Sequence, residues 1–155
     1  MPQVTKGGKY IFGWSEIKKD LSILLPKMAI DEYNITSEGR VFLISGSKTT
    51  GGFVVTKKDL LYNSKIGNIL KETPSLRDYT IGEGEFIKYK GRLYCWCNIS
   101  RSGELQFDEK MLRILEIKIG DKLLSIRSSD IAFCMGVKGE LIERAENYNG
   151  KIEIY

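Results

Sequence analysis

The 155-residue sequence has no histidine and three cysteines, and both facts limit its chemistry. Histidine is the commonest general base and metal ligand, so its absence excludes Ser-His-Asp and Cys-His catalytic arrangements. Cys95 and Cys97 are two positions apart in a strand-like run, whereas zinc sites usually use Cys-x-x-Cys pairs. We therefore expect the cysteines to be small buried side chains, and we expect no metal, no cofactor and no enzymatic activity.

Long apolar runs and a strong charge bias are also absent. No stretch approaches the length of a membrane span, and the N-terminal residues "MPQVTKGGKY" lack the apolar core of a signal peptide. These features predict a cytoplasmic protein with no membrane partner. The 24 basic and 20 acidic residues give a net charge of +4, which permits an acidic partner such as DNA without requiring one.

The stretch "ISGSKTTGGF", residues 44–53, is rich in glycine and hydroxyl groups, as phosphate-binding loops are. A P-loop needs its lysine directly after the second glycine, whereas here Lys48 precedes Gly51 and Gly52. Glycine also supplies the positive φ that hairpin turns need. We interpret the stretch as a connection between two strands, with phosphate binding as the alternative.

The sequence contains an internal repeat. A shift of 82 positions aligns residues 14–47 with residues 96–129 without a gap, and it places Trp14 on Trp96 and Lys19 on Arg101. Neither copy is long enough to bury a sufficient core alone. We therefore expect the copies to fold together around an approximate two-fold axis, with the two tryptophans in equivalent environments.

Each copy is predicted to contain a strand, a short helix, a glycine turn and further strands. In the first copy the tract from Trp14 to Leu25 alternates like one half-buried strand. Pro26 suits a first helical position and Asp108 an N-cap, so both helices start at the same aligned place. The apolar stripes of these helices are predicted to be Met28, Ala29, Ile30 and Tyr33 in the first copy, and Met111, Leu112, Ile114 and Leu115 in the second.

The rest of the chain has simpler patterns. Apolar spacing after residue 57 predicts a helix that ends before Pro74, and alternation around Lys90–Gly91 predicts a hairpin. The C-terminal residues predict a helix over Leu141–Asn147, a turn at Asn149–Gly150 and a terminal strand.

The second copy has, in order, a glycine, an apolar strand, a short helix, an apolar-x-x-Gly-Asp turn and a second strand. The residues that form this pattern are Gly103, Leu105, Phe107, Met111, Leu115, Ile117, Gly120, Asp121, Leu123, Leu124 and Ile126. The pattern resembles that of the AbrB/MazE/SpoVT family of swapped-hairpin DNA-binding domains. The first copy has the family's proline and lysine at Pro26 and Lys27, but it has Leu21 where the glycine belongs and Glu38–Gly39 in place of Gly-Asp.

The resemblance implies a mainly β fold with short helices (α+β). Two AbrB-like repeats, residues 10–56 and 92–137, would form an intramolecular pseudo-dimeric barrel. Residues 57–91 would be an inserted helix and hairpin, and residues 138–155 a C-terminal helix and strand, all within one globular unit.

The resemblance also implies a DNA-binding transcriptional regulator. Family members contact double-stranded DNA through basic side chains near the first strand and the helix, and the matching residues here are Lys18, Lys19, Lys27, Arg101, Lys110 and Arg113. The N-terminal "TKGGK" arm could add phosphate contacts. The alternative is a non-catalytic module of the same fold that binds a protein or a small ligand, and further homo-oligomerisation stays open.

Overall fold

In the computed structural model, which describes residues 10–148 and 150–155, short strands and short helices alternate along the chain. The strands are β1 (Ile11–Glu16), β2 (Ser22–Leu24), β3 (Arg40–Ser45), β4 (Phe53–Thr56), β5 (Ile87–Tyr89), β6 (Arg92–Asn98), β7 (Glu104–Gln106), β8 (Lys122–Arg127) and β9 (Phe133–Gly136). The helices are α1 (Lys27–Tyr33), α2 (Lys58–Tyr62), α3 (Asn68–Glu72), α4 (Pro74–Arg77), α5 (Glu109–Leu115) and α6 (Glu140–Glu146). The protein is a mixed α+β fold, as the sequence predicts.

Seven strands form one antiparallel sheet in the order β1-β8-β9-β4-β3-β6-β5, and β2 and β7 form a separate two-stranded ribbon. The predicted closed barrel is wrong, because β1 and β5 lie at opposite edges of an open sheet. Extra chain occupies both edges. Strand β5 pairs with the outer side of β6, and at the other edge Trp14 N donates to Glu153 O at 2.8 Å. Neither β1 nor β6 is left with a free side for closure.

Strand pairs on the two sides of this sheet have matching registers. Strand β1 pairs with β8 so that Trp14 faces Leu124, and β6 pairs with β3 so that Trp96 faces Phe42. A shift of 82 positions converts Trp14 to Trp96 and Phe42 to Leu124, and so converts one pair into the other. Each of the two aligned segments therefore supplies a strand to the other segment's side of the sheet.

The large sheet is buried on both faces, which explains its continuous apolar runs such as "VFLI" at residues 41–44. Val41 and Leu43 face a core shared with the ribbon, α1 and α5. On the opposite face, Phe42 packs beneath the 57–91 segment, and Leu124 packs beneath α6. The molecule thus has three layers: the ribbon with α1 and α5, the sheet, and an outer layer of α2–α4 and α6.

The cysteines of β6 lie in the first of these cores. Cys95 and Cys97 face the ribbon side while Tyr94 and Trp96 face the outer layer, which confirms the predicted alternation. Burial raises the pKa of both thiols, so they stay protonated and pack as small apolar groups.

The tract from Trp14 to Leu25 is not the single strand that its alternation predicts. Strand β1 ends at Glu16 and β2 begins at Ser22. Between them the chain makes a turn in which Leu21 N donates to Lys18 O at 2.9 Å, and Leu21 has a φ of 68°. A left-handed residue cannot continue a strand, so the alternation misleads here.

Residues 58–77 form three short helices and not the single predicted helix. Residues 63–67 form a turn between α2 and α3, and at Gly67 an added Cβ would lie 2.4 Å from Leu61 O. Helix α3 ends at Glu72, which confirms an end before Pro74. Pro74 then begins α4 in the first helical turn, where its missing N–H has no intrahelical acceptor to lose.

The starts of α1 and α5 agree with the sequence in part. Asp108 is the N-cap of α5, as predicted, and its Oδ1 accepts from Met111 N at 2.8 Å. Pro26 was predicted to be the first helical residue of α1 but is its N-cap, so the helix begins one residue later than predicted. Ala29 and Tyr33 are the buried members of the α1 stripe, whereas Met28 is 42% exposed.

The remaining local predictions hold with small changes. Lys90 and Gly91, both with positive φ, connect the paired strands β5 and β6 and confirm that hairpin. Helix α6 matches the predicted Leu141–Asn147 within one residue. The predicted Asn149–Gly150 turn involves a residue outside the described ranges. Beyond it, Ile154 forms an isolated bridge to Trp14 where the sequence predicted a strand.

Candidate nucleic-acid interface

The predicted DNA-binding residues lie in the turns and helices next to the β2–β7 ribbon. Ile23 and Leu105 face each other at its centre, and both side chains are fully buried in the core beneath. The partners of the flanking pairs, Glu104 and Gln106, are exposed. The apolar pair packs the ribbon on the core, and Ser15 Oγ of β1 also donates to Leu24 O at 2.6 Å. On the outward face Glu104 and Gln106 are exposed, whereas Ser22 is buried and Leu24 is half-buried.

Two turns of the same geometry lie at opposite ends of this ribbon. In the first, Leu21 N donates to Lys18 O at 2.9 Å; in the second, Gly103 N donates to Ser100 O at 3.0 Å. Leu21 and Gly103 also share a positive φ, 68° and 91°. Because Lys19 and Arg101 occupy the same place in these two turns, they lie at equivalent positions at the two ends.

Each turn is bonded to the chain that leads into the other segment's helix. Phe107 N donates to Leu21 O at 3.0 Å, just before α5, and Leu25 N donates to Gly103 O at 2.9 Å, just before α1. The Gln106 amide also donates to Asp20 O at 2.7 Å. The turns are thereby fixed to the starts of the two helices.

These bonds decide which predicted residues come together. Lys18 and Lys19 lie beside the start of α5, which carries Lys110. Arg101 lies beside the start of α1, which carries Lys27. Arg113 is in the last turn of α5, away from the turn residues.

All six predicted side chains are exposed. Lys27 forms an i,i+4 ion pair with Asp31 at 3.0 Å, with both side chains largely in solvent. Such a pair contributes little stability and is readily exchanged for another anion. Within residues 10–148 and 150–155, the other five form no ion pair, so their charges are available to a partner.

Four carboxylates share this surface and reduce its positive charge: Asp20, Glu104, Asp108 and Glu109. Two of them have local structural partners. Asp20 accepts hydrogen bonds from Ser22 Oγ at 2.6 Å and Ser22 N at 3.0 Å, and these lower its pKa. Asp108 caps α5. Together with Asp31, the partner of Lys27, these four carboxylates nearly balance the six cations.

Sequence reasoning missed the polar groups between the basic residues. The exposed Gln106 lies on the ribbon, and Ser100 and Ser102, whose hydroxyls lie 2.9 Å apart, are in the second turn. The alternation in "GELQF" could have identified Gln106, since it places this residue on the outward face with Glu104. The "TKGGK" arm lies outside the described residues.

The glycine-rich loop, residues 46–52, is the connection that its sequence predicts. It joins the antiparallel strands β3 and β4. Gly46 N donates to Gly52 O at 3.0 Å and Gly51 N to Ser47 O at 2.8 Å. Because these amides already have acceptors within the loop, they do not offer the ring of donors that surrounds a phosphate in a P-loop.

Within residues 10–148 and 150–155, no group of three or more His, Cys, Asp or Glu side chains is arranged to hold a metal ion. None of the helices in these ranges has the length and apolar character needed to cross a membrane. Comparison of the chain with family models finds no match, and comparison with curated proteins finds none either.

Proposed function

We propose that this protein is a DNA-binding transcriptional regulator of the AbrB-like, swapped-hairpin type, built from two repeats in one chain. The observation that carries the proposal is the pair of equivalent turns at the ends of the β2–β7 ribbon, with Lys19 in one and Arg101 in the other. Such a role requires contact with chromosomal DNA, which agrees with the expected cytoplasmic location.

The strand pairing supports the swapped-hairpin part of the proposal. In β1–β8 and β6–β3, each segment completes the other's side of the sheet in the same register. A family member would achieve this with two chains, whereas here one chain supplies both halves.

The ribbon surface supports the DNA part. Duplex DNA has approximate two-fold symmetry, so a surface with equivalent cations at two ends can contact both strands alike. Lysine neutralises a phosphate, and arginine can also bind a guanine edge with two hydrogen bonds. Lys18, Lys27 and Lys110 flank the two turns and would extend the phosphate contacts.

Titration of a labelled mixed-sequence duplex with the full chain, at about 50 and about 200 mM salt, tests the proposal. We expect binding that weakens with salt. If Lys19 and Arg101 each contact one phosphate, alanine at either should weaken binding to a similar extent. Each change should also flatten the salt dependence by roughly one unit of log–log slope.

The matched control is Lys65→Ala combined with Lys88→Ala. Both lysines are exposed, and they lie in the outer layer and on edge strand β5, away from the ribbon. This control removes the same net charge and should bind DNA almost as the wild type does. If the control and the double variant Lys19→Ala with Arg101→Ala lose equal DNA affinity, the loss comes from the change in net charge and not from the ribbon turns. A folded wild type that binds no duplex at low salt would leave the protein- or ligand-binding module as the better proposal.

A further inference from the structure

The outer face of the sheet is completed differently in its two halves. On the β3–β6 side, Tyr79 from the 57–91 segment covers the sheet. Its ring packs edge-on against Trp96, with centroids 5.4 Å apart. The Arg40 guanidinium lies 4.6 Å from the ring centroid, and the Tyr79 hydroxyl donates to Glu38 Oε2 at 3.2 Å. The same ring also stacks on Phe42, with centroids 5.6 Å apart, and has Lys58 Nζ 4.4 Å from its centroid. One phenol ring thus contacts two aromatic rings, two cations and a carboxylate.

The β1–β8 side has the matching positions but no such ring. Trp14 matches Trp96 and Lys122 matches Arg40 in the strand registers. The two tryptophans therefore do not share an environment, contrary to expectation. Trp96 is 9% exposed and donates from Nε1 to Ile81 O at 2.7 Å, whereas Trp14 lines an open cavity.

This cavity has a volume of about 570 Å³. Its walls include the Trp14 ring, Lys122 and Ile152, and two carboxylates, Asp121 and Glu146. Of the described residues that line it, Trp14 alone carries an aromatic ring. The volume falls in the range of small-molecule sites, and the accessible surface of the cavity walls is more polar than apolar.

We propose that this cavity binds a small phenol, a single aromatic ring that carries a hydroxyl group. The ring would pack against Trp14 and below Lys122, as Tyr79 packs against Trp96 and below Arg40. Position 120 is glycine where the other half has Glu38. The cavity therefore lacks a counterpart of the Glu38 carboxylate and has more room at that position. Asp121 and Glu146 are the carboxylates that can accept a hydrogen bond from the hydroxyl group.

The electrostatics favour this class over other small molecules. A cation over an aromatic face is attracted by the ring quadrupole, and edge-on packing against an indole adds a further favourable contact. A saturated ring would lose both interactions. An aromatic ring without a hydroxyl would donate to neither carboxylate, so among the described residues the only donor to Asp121 would be Lys118 N, at 3.0 Å.

The test uses the full chain and p-cresol, which reproduces the tyrosine side chain, with binding measured by calorimetry and by ligand-observed NMR. We expect saturable one-to-one binding, with a dissociation constant on the order of 1 mM or tighter for so small a molecule. Trp14→Ala should weaken binding by at least about tenfold, and Lys122→Met by a few fold. Toluene and 4-methylcyclohexanol should both bind more weakly than p-cresol.

A second variant guards against a loss of fold in Trp14→Ala. Ile152→Trp fills the cavity from its half-buried rim, and it should abolish p-cresol binding while the circular dichroism spectrum stays native. The proposal is overturned if the wild type shows no saturable binding, if both variants still bind, or if toluene binds as tightly as p-cresol. Since no DNA is present, the outcome is independent of the DNA-binding proposal.

Discussion

At the scale of single residues, Gly103 and Leu21 adopt the same backbone conformation in the two ribbon turns, although only one of them is a glycine. Both adopt a positive φ, but only Gly103 does so without a steric penalty from Cβ. Leu21 is half-buried and packs against the main core. Its side-chain burial therefore offsets the backbone strain, which for an L-residue in this region is about 1–2 kcal/mol.

Gly103→Ala is expected to destabilise the protein through two effects. Alanine would be strained at a φ of 91°, and its Cβ would lie 2.0 Å from Ile30 Cδ1. Together these should lower the free energy of unfolding by about 2–3 kcal/mol, measured by urea denaturation.

Gly120→Ala is the matched control for that measurement. Gly120 has a nearly identical φ of 89°, but nothing lies within 4 Å of an added Cβ. It should cost only the strain, about 1 kcal/mol. Ile30→Val removes the clashing Cδ1 atom and should recover part of the Gly103→Ala cost. Equal costs for the two glycines would contradict the role of the Ile30 contact.

The resemblance described under Sequence analysis implies a glycine at position 103. The sequence does not reveal that Leu21 adopts the same backbone conformation, since leucine in an alternating tract normally indicates a strand. The φ of Leu21 follows from tertiary bonds, such as Phe107 N to Leu21 O at 3.0 Å. Local sequence cannot show such a bond.

At the scale of elements, α1 and α5 have the same length but different caps. The N-cap of α5 is Asp108, whose side chain accepts a backbone hydrogen bond. Pro26 at the α1 N-cap makes no side-chain bond. The stability of α5 therefore depends on the Asp108 carboxylate, whereas α1 has no cap side chain whose loss would have the same effect.

Asp108→Ala is expected to lower the free energy of unfolding by about 1 kcal/mol, because Met111 N loses its 2.8 Å acceptor at the start of α5. Glu109→Ala, one residue later, is the control: it removes a charge of the same sign but no cap. Its cost should be about 0.5 kcal/mol or less. Chemical denaturation of both variants measures the difference, and a Glu109→Ala cost as large as that of Asp108→Ala would contradict the capping role.

Element types were predicted well where a local signal decides them. Asp108, the 46–52 loop and the Lys90–Gly91 turn are examples, because caps and hairpin turns are determined by neighbouring residues. The 58–77 helices were not predicted as separate elements. Their apolar spacing resembles one helix, and the turn at residues 63–67 brings Gly67 close to Leu61 O, a contact that the spacing does not show.

At the scale of the whole molecule, the sequence predicts the matching strand registers of the two segments but not which residues form the edges of the sheet. The alignment at a shift of 82 positions predicts which residues correspond, and the strand pairs Trp14–Leu124 and Phe42–Trp96 agree with it. The alignment has nothing to say about residues outside it. Those residues add β5 at one edge of the sheet and residues 153–155 at the other. They also cover the two tryptophans to different extents.

The exchange of strands makes the two halves of the chain dependent on each other. Strand β1 pairs with β8 and β3 with β6, while the ribbon takes one strand from each half. Chains cut between residues 91 and 92 would leave β1, β2 and β3 without these partners in one fragment, and β6, β7 and β8 without them in the other. Each fragment would also expose half of the main core.

We therefore expect that fragments 1–91 and 92–155, produced separately, show no cooperative unfolding as monomers, since neither can bury a sufficient core. Mixed in equal amounts, they should regain the circular dichroism spectrum and the urea transition of the intact chain, with a midpoint that rises with concentration. Sedimentation equilibrium of each fragment separates a folded monomer from a self-associated species. A fragment that folds as a monomer, with a sharp transition of its own, would contradict the mutual dependence that the β1–β8 and β3–β6 pairs imply.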